Sequence, residues 1–228
     1  MKYEIFGNTL PAVEIKLNNK ESVYTQSGGM SWMTSGISMD TNMKGGFLKG
    51  LGRMFSGESL FMATYTAESD NQSITFASSF PGEIRCLDIS SHEYICQKSA
   101  FLCAEPSVEL SIFANGIKSG LFGGEGFIMQ RLSGSGLAFL ELDGSVREIE
   151  LAAGEKIKVD TGNVAFFESQ VKYSAETVKG FKNILFGGEG LFLTTLEGPG
   201  KVYLQTMTMP GVANRLIPFL PKPSAPSN

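Results

Sequence analysis

"LFGGEG" stands at residues 121–126 and again, letter for letter, at 185–190. The similarity runs on without gaps, so that "LFGGEGFIMQRLSGSGLAFLE" (121–141) aligns with "LFGGEGLFLTTLEGPGKVYLQ" (185–205). Upstream, "FSGESLFMATYTAES" (55–69) matches "FGGEGFIMQRLSGSG" (122–136), with Ser56 and Ser59 in place of two glycines. Glycine-rich hexamers hold phosphates when a Lys follows or when a helix opens behind them. Neither G-x-x-x-x-G-K-[ST] nor G-x-G-x-x-G occurs here, and the residues behind each hexamer are strand-like. Adjacent glycines allow a sharp turn between strands, so the hexamer is read as architecture.

A second block precedes each hexamer: "MSWMTSGI" (30–37), "FLCAEPSV" (101–108) and "VAFFESQV" (164–171). The chain therefore divides into three copies of one unit, 1–90, 91–155 and 156–210, followed by a short helix and a disordered tail at 211–228. Within the units, "FIMQRL", "GLAFLEL", "SVREIEL", "EKIKVD" and "NVAFFES" are short and rich in Phe, Val, Ile and Leu, with Gly, Asp or Asn between them. "SVREIELAAGEKIKVD" sets Val146, Ile149, Leu151, Ile157 and Val159 among charges, which predicts strands with one wet face. Helical patterns are confined to 45–57, to 211–221 before Pro218 and Pro221 end it, and to short covering segments at 112–122 and 177–186. These residues predict an all-β chain with short helical lids.

Composition narrows function by exclusion. A net charge of −4 in 228 residues argues against nucleic acid, which needs clustered Lys and Arg. Glu4 and Glu14 interrupt any apolar leader, no window reaches membrane-spanning length, and a cytoplasmic chain is expected. Cys86, Cys96 and Cys103 are odd in number and lack C-x-x-C spacing, which suits reduced thiols. His92, the single histidine, cannot build a two-His metal site or find partners for a triad, and it reads as a surface or linker residue. No metal, cofactor or enzymatic activity is expected. A hydrolase or isomerase on a cupin-like barrel is the rival, and it would ordinarily require several His ligands.

The stretch "VDTGNVAFFESQVKYSAETVKGFKNILFGGEGLFLTTLEGPGKVYLQT" (159–206), with "GGMSWMTSGI", "PGEI" at 81–84 and "LIPFLPKP", resembles bacterial relatives of the mitochondrial biogenesis family named altered inheritance of mitochondria 24. The resemblance covers nearly the whole chain. It implies three pseudo-symmetric β-sandwich or double-stranded β-helix-like modules about a pseudo-threefold axis, similar to the subunit of the ring-forming tryptophan RNA-binding attenuation protein. It implies no enzymatic activity. The first hexamer copy departs from the pattern as "FSGESL".

Two groups of candidate residues follow. Glu58, Glu125 and Glu189 occupy one place in the three copies, where each is read as accepting backbone N–H bonds in its own glycine turn, or as converging on a cation. Residues 43–57 set Phe47, Leu48, Leu51, Met54 and Phe55 beside Lys44, Lys49 and Arg53, either as a lid on their own module or as a surface for a membrane or protein partner. Trp32 is expected as a core aromatic, the alternative being an adaptable apolar surface formed with Met30, Met33 and Met39 around it. The expected function is a scaffold or binding protein, self-association included among its partners.

Overall fold

The computed structural model describes residues 1–26, 29–41, 62–113, 128–177 and 192–220. They form four antiparallel sheets, with strands numbered along the chain. Sheet A runs β1 (Lys2–Phe6), β2 (Ala12–Leu17), β7 (Gln72–Ala77), β4 (Met30–Met33). Sheet B runs β5 (Ile37–Asp40), β6 (Met62–Ala67), β3 (Ser22–Gln26), β10 (Phe101–Ala104), β13 (Leu137–Asp143), β8 (Gly82–Asp88). Sheet C runs β11 (Val108–Ile112), β12 (Met129–Gly134), β9 (Tyr94–Gln97), β16 (Val164–Glu168), β19 (Gly200–Gln205), β14 (Val146–Leu151). Sheet D is β15 (Lys156–Asp160), β18 (Phe192–Glu197), β17 (Lys172–Thr177). Each sheet ends in two edge strands, so none closes into a barrel.

Three apolar cores lie between successive sheets. Val13, Ile15, Ile74 and Phe76 of sheet A meet Val23, Tyr65, Cys103 and Phe139 of sheet B. Tyr24, Phe101, Leu140 and Leu142 of sheet B meet Cys96, Leu110, Leu132 and Phe166 of sheet C. Ile95, Val164, Phe167 and Val202 of sheet C meet Val159, Tyr173 and Leu196 of sheet D. Sheets B and C are thus apolar on both faces, which explains their continuous hydrophobic strands. In β13, Ala138 and Leu140 point to one core while Phe139 points to the other. Each such large side chain contributes roughly 1.5–3 kcal/mol by leaving water.

The expectation of one wet face holds for β15, where Ile157 and Val159 face the core between C and D and Lys156, Lys158 and Asp160 are exposed. It needs correction for β14. Val146 packs into the core between B and C, whereas Ile149 and Leu151 pack into that between C and D. A strand sandwiched between two cores has no wholly wet face. The turn from β13 to β14 depends on Gly144 at φ +74°, where an added Cβ would lie 2.6 Å from the Thr206 hydroxyl.

At the end of the described chain, α1 (Met209–Leu216) starts two residues earlier than the apolar pattern predicts. Thr208 accepts a bond from the Gly211 N–H, and Pro210 fits the first turn, where its missing donor is harmless. The chain then passes into a 3-10 turn at Ile217–Phe219. Helical expectations at 45–57 and across most of 112–122 and 177–186 lie outside the described residues; Ile112 and Thr177 end β11 and β17.

Candidate functional site

The residues singled out in the sequence fall in the connections β5–β6, β11–β12 and β17–β18. Glu58, Glu125, Glu189, Lys44, Phe47, Leu48, Lys49, Leu51, Arg53, Met54 and Phe55 all lie outside the described residues. Other side chains, unremarked in the sequence, take up repeated positions. The Thr34 hydroxyl accepts the Ser73 N–H at 3.1 Å, Glu105 accepts the Leu137 N–H at 2.7 Å, and Glu168 accepts the Lys201 N–H at 2.9 Å. Each oxygen lies just beyond the same short strand in its block, or at its end, and replaces a backbone ladder partner. Glu168 is buried and also accepts from the Gln170 amide at 2.6 Å. These carboxylates are committed to main chain; the signal that could have found them is their shared offset within "MSWMT", "FLCAE" and "VAFFE".

A cleft of about 160 Å³ opens beside Phe80, Gln97, Glu141, Asp143, Gln205 and Met209. Small-molecule sites usually hold ~300–1,000 Å³. Burial, and secondarily the neighbouring Glu141 carboxylate, raise the Asp143 carboxyl above its ordinary range. Glu141 is itself engaged, accepting the Ser79 N–H at 2.9 Å and the Ser78 hydroxyl at 3.1 Å. The Gln97 amide donates to the carbonyls of Gly162 and Val164, at 3.0 and 2.6 Å. These bonds tie β9 to the start of β16 and the loop before it, and β13 to the loop after β7.

The thiols are free, and burial pushes Cys96 up to about 12 and Cys103 well above the usual thiol range. His92 is exposed between β8 and β9, with its ring 6.4 Å from that of Tyr94. No group of three or more His, Cys, Asp and Glu among the described residues could hold a metal ion.

Trp32 corrects a further expectation: it is 54% exposed and not in the core. On β4 it stands opposite Thr75, beside a bulge between Met30 and Trp32. Met30 and Met33 take the inner face, against the core between A and B, and Trp32 takes the outer one. Its ring lies 6.5 Å from that of Phe6, and Met39 is likewise exposed. The same bulge recurs in β10, where Cys103 faces Phe139, and in β16, where Phe166 faces Tyr203. There the corresponding residues, Cys103 and Phe166, are completely buried because a further sheet covers them. Among the described residues, no further sheet covers that face of sheet A.

Residues 3–207 match the model of the family described as mitochondrial biogenesis AIM24. The chain belongs to the AIM24 family. It is 31% identical over 223 residues to an uncharacterised protein of Streptococcus pyogenes serotype M6, covering 94% of this chain and 88% of that one. It is also similar to the X-ray crystal structure of a Streptococcus pyogenes protein, at a TM-score of 0.78 and 27% identity over 96% of this chain and 99% of that one. The sheet architecture is therefore one this AIM24-family chain shares with a solved structure.

Proposed function

We propose that the chain is a non-enzymatic, cytoplasmic scaffold made of three β-modules of common design. The recurrence of strand order supports the modular reading: β2-β7-β4, β8-β13-β10 and β14-β19-β16 are alike, as are β5-β6-β3, β11-β12-β9 and β17-β18-β15. The observation that carries the scaffold reading is the unequal size of the sheets. Among the described residues, sheets B and C each have six strands, one group of either kind, whereas D has only the second kind and A has only the first kind plus β1. A body with two half-sheets at its ends is suited to being extended or covered, while its carboxylates and thiols are absorbed in holding it together.

The partner-binding element we assign is the exposed apolar end of the chain. Leu216, Ile217, Phe219 and Leu220 are 55–85% exposed, and no residue of α1 is buried. Arg215 is the one cation within α1, and anionic lipid binding ordinarily recruits several, so this surface suits a protein partner better than a membrane. Affinity capture from cells, comparing wild type with a Leu216→Ser/Phe219→Ser variant, is expected to lose a defined partner set. Turnover of an ester, amide, glycoside or phosphate by the purified chain, abolished by Asp143→Asn, would overturn the scaffold reading in favour of an enzyme.

A further inference from the structure

Sheet B exists because β3 pairs with β10, and sheet C because β9 pairs with β16. Each junction joins two three-strand groups edge to edge. Cys103 lies opposite Thr25 and Ala104 opposite Tyr24; Phe166 lies opposite Cys96, Phe167 opposite Ile95 and Glu168 opposite Tyr94. Two strands of the same kinds have no such mate among the described residues: β4, which pairs only with β7, and β15, which pairs only with β18. We infer that these edges pair with each other between copies of the chain, β4 of one with β15 of the next, in a head-to-tail assembly. The inference rests on the scaffold reading and names one of its partners, a second copy.

Register follows from the neighbouring ladders. Thr25 pairs with Ala63, Cys96 with Gln130 and Val159 with Thr194, which puts Val159 in the place of Thr25 and Cys96. Trp32 holds the place of Cys103 and Phe166. The junction between copies therefore sets Trp32 opposite Val159, Met33 opposite Lys158 and Thr34 opposite Ile157. It joins sheet D of one copy to sheet A of the next in a composite of the same construction as B and C.

Three observations select this occupant over an unrelated one. The outer face of β4, exposed at Trp32, is the face that in β10 and β16 packs into the preceding core through Cys103 and Phe166. A β15 edge brings with it the sheet C of its own copy to cover that face. The edge of β4, "MSWM", carries neither charge nor Pro, the usual guards against pairing. Lastly, the two edges are complementary and each chain has one of each, so the contact is heterologous and propagates. Lys156 and Lys158 on β15 stand where β3 has Ser22 and Tyr24, so this junction carries charge at two positions that are neutral in the junction inside sheet B and is the more easily reversed. Lys158 takes the register of Tyr24, whose hydroxyl donates to the Val108 carbonyl across sheets, so a donor is retained there.

Trp32 is the only tryptophan, and its emission reports the junction directly. Raising the chain concentration is expected to shift that emission to the blue in step with the mass seen by sedimentation. Trp32→Glu should leave the far-UV spectrum unchanged and weaken association at least about tenfold. Directly opposed strand residues lie within disulfide reach, so cysteines report the register. A Met33→Cys chain mixed with a Lys158→Cys chain should form a disulfide-linked dimer, whereas neither alone should. Monomer at every concentration, or a dimer cross-linked by Met33→Cys alone, overturns the proposal and leaves the scaffold reading to the capture experiment. A cross-link within one monomer carrying both cysteines would show β4 and β15 closing a pseudo-threefold inside a single chain, and would overturn it equally.

Discussion

Phe166 and Trp32 occupy matching places beside matching bulges, yet truncating them should have very different effects. Phe166 is fully buried between sheets B and C, stacked on Tyr203 at 4.0 Å and 9°, with Tyr94 edge-on at 6.0 Å. Phe166→Ala removes the transfer free energy of a ring and leaves a cavity, about 3–5 kcal/mol together. The upper part of that range is expected, because both neighbouring rings lose a partner and sit on hydrogen-bonded strands that resist collapse. Trp32 already exposes 54% of its surface. Roughly 100 Å² of ring remains in contact, at most ~2.5 kcal/mol at ~25 cal/mol per Å², and no cavity forms. Trp32→Ala should therefore cost about 1–2 kcal/mol. Urea unfolding followed by far-UV circular dichroism, at dilutions where the chain is monomeric, gives both values from midpoints at constant slope. A Trp32→Ala loss equal to or greater than that of Phe166→Ala would refute the layered account of the cores.

Alkali should destabilise the fold. Cys96 holds its proton up to about 12 against an ordinary 9, so its contribution is complete below pH 9 and is lost as pH rises from 9 towards 12, by about 1.4 kcal/mol per unit; thermal transitions measured across that window check it. In the native state the half-buried Cys86 should react with a thiol reagent well before Cys96 and Cys103, which is read by the stoichiometry with and without urea. Tyr24→Phe deletes the buried 2.9 Å bond to the Val108 carbonyl that ties sheet B to sheet C, and should cost about 1–2 kcal/mol in the same unfolding assay. Leu216→Ser/Phe219→Ser should leave the midpoint within about 0.5 kcal/mol of wild type, since α1 buries no residue.

Much of the strand content is legible because β13, β15 and β16 advertise themselves. "LAFLEL" is too apolar for a strand with a wet face, and "KIKVD" alternates cleanly. What a single strand cannot reveal is how many sheets lie beside it. "MSWM", "FLCA" and "VAFF" look equally core-like, and all three carry the bulge. Trp32 nevertheless emerges on the surface of the described residues, because its exposure depends on which layers, far away in sequence, lie beside it. Val146 went to an unexpected face for the same reason. The candidate site was less legible still: the glutamates of the repeated hexamers drew notice through neighbouring glycines, whereas Glu105 and Glu168 act through a backbone N–H of another strand more than thirty residues away.

The half-and-half construction of sheets B and C constrains how such a chain can grow or shrink. Deleting β16 to β19 would strip β9 of its mate and bare the core face of sheet C. Removing one whole block of six consecutive strands instead brings together a β3-type and a β10-type edge, the same couple that was cut apart. Addition of a block obeys the same rule. Viable changes of length should therefore come in steps of six strands, and a fragment ending anywhere else should be a target for proteases before it is a smaller protein.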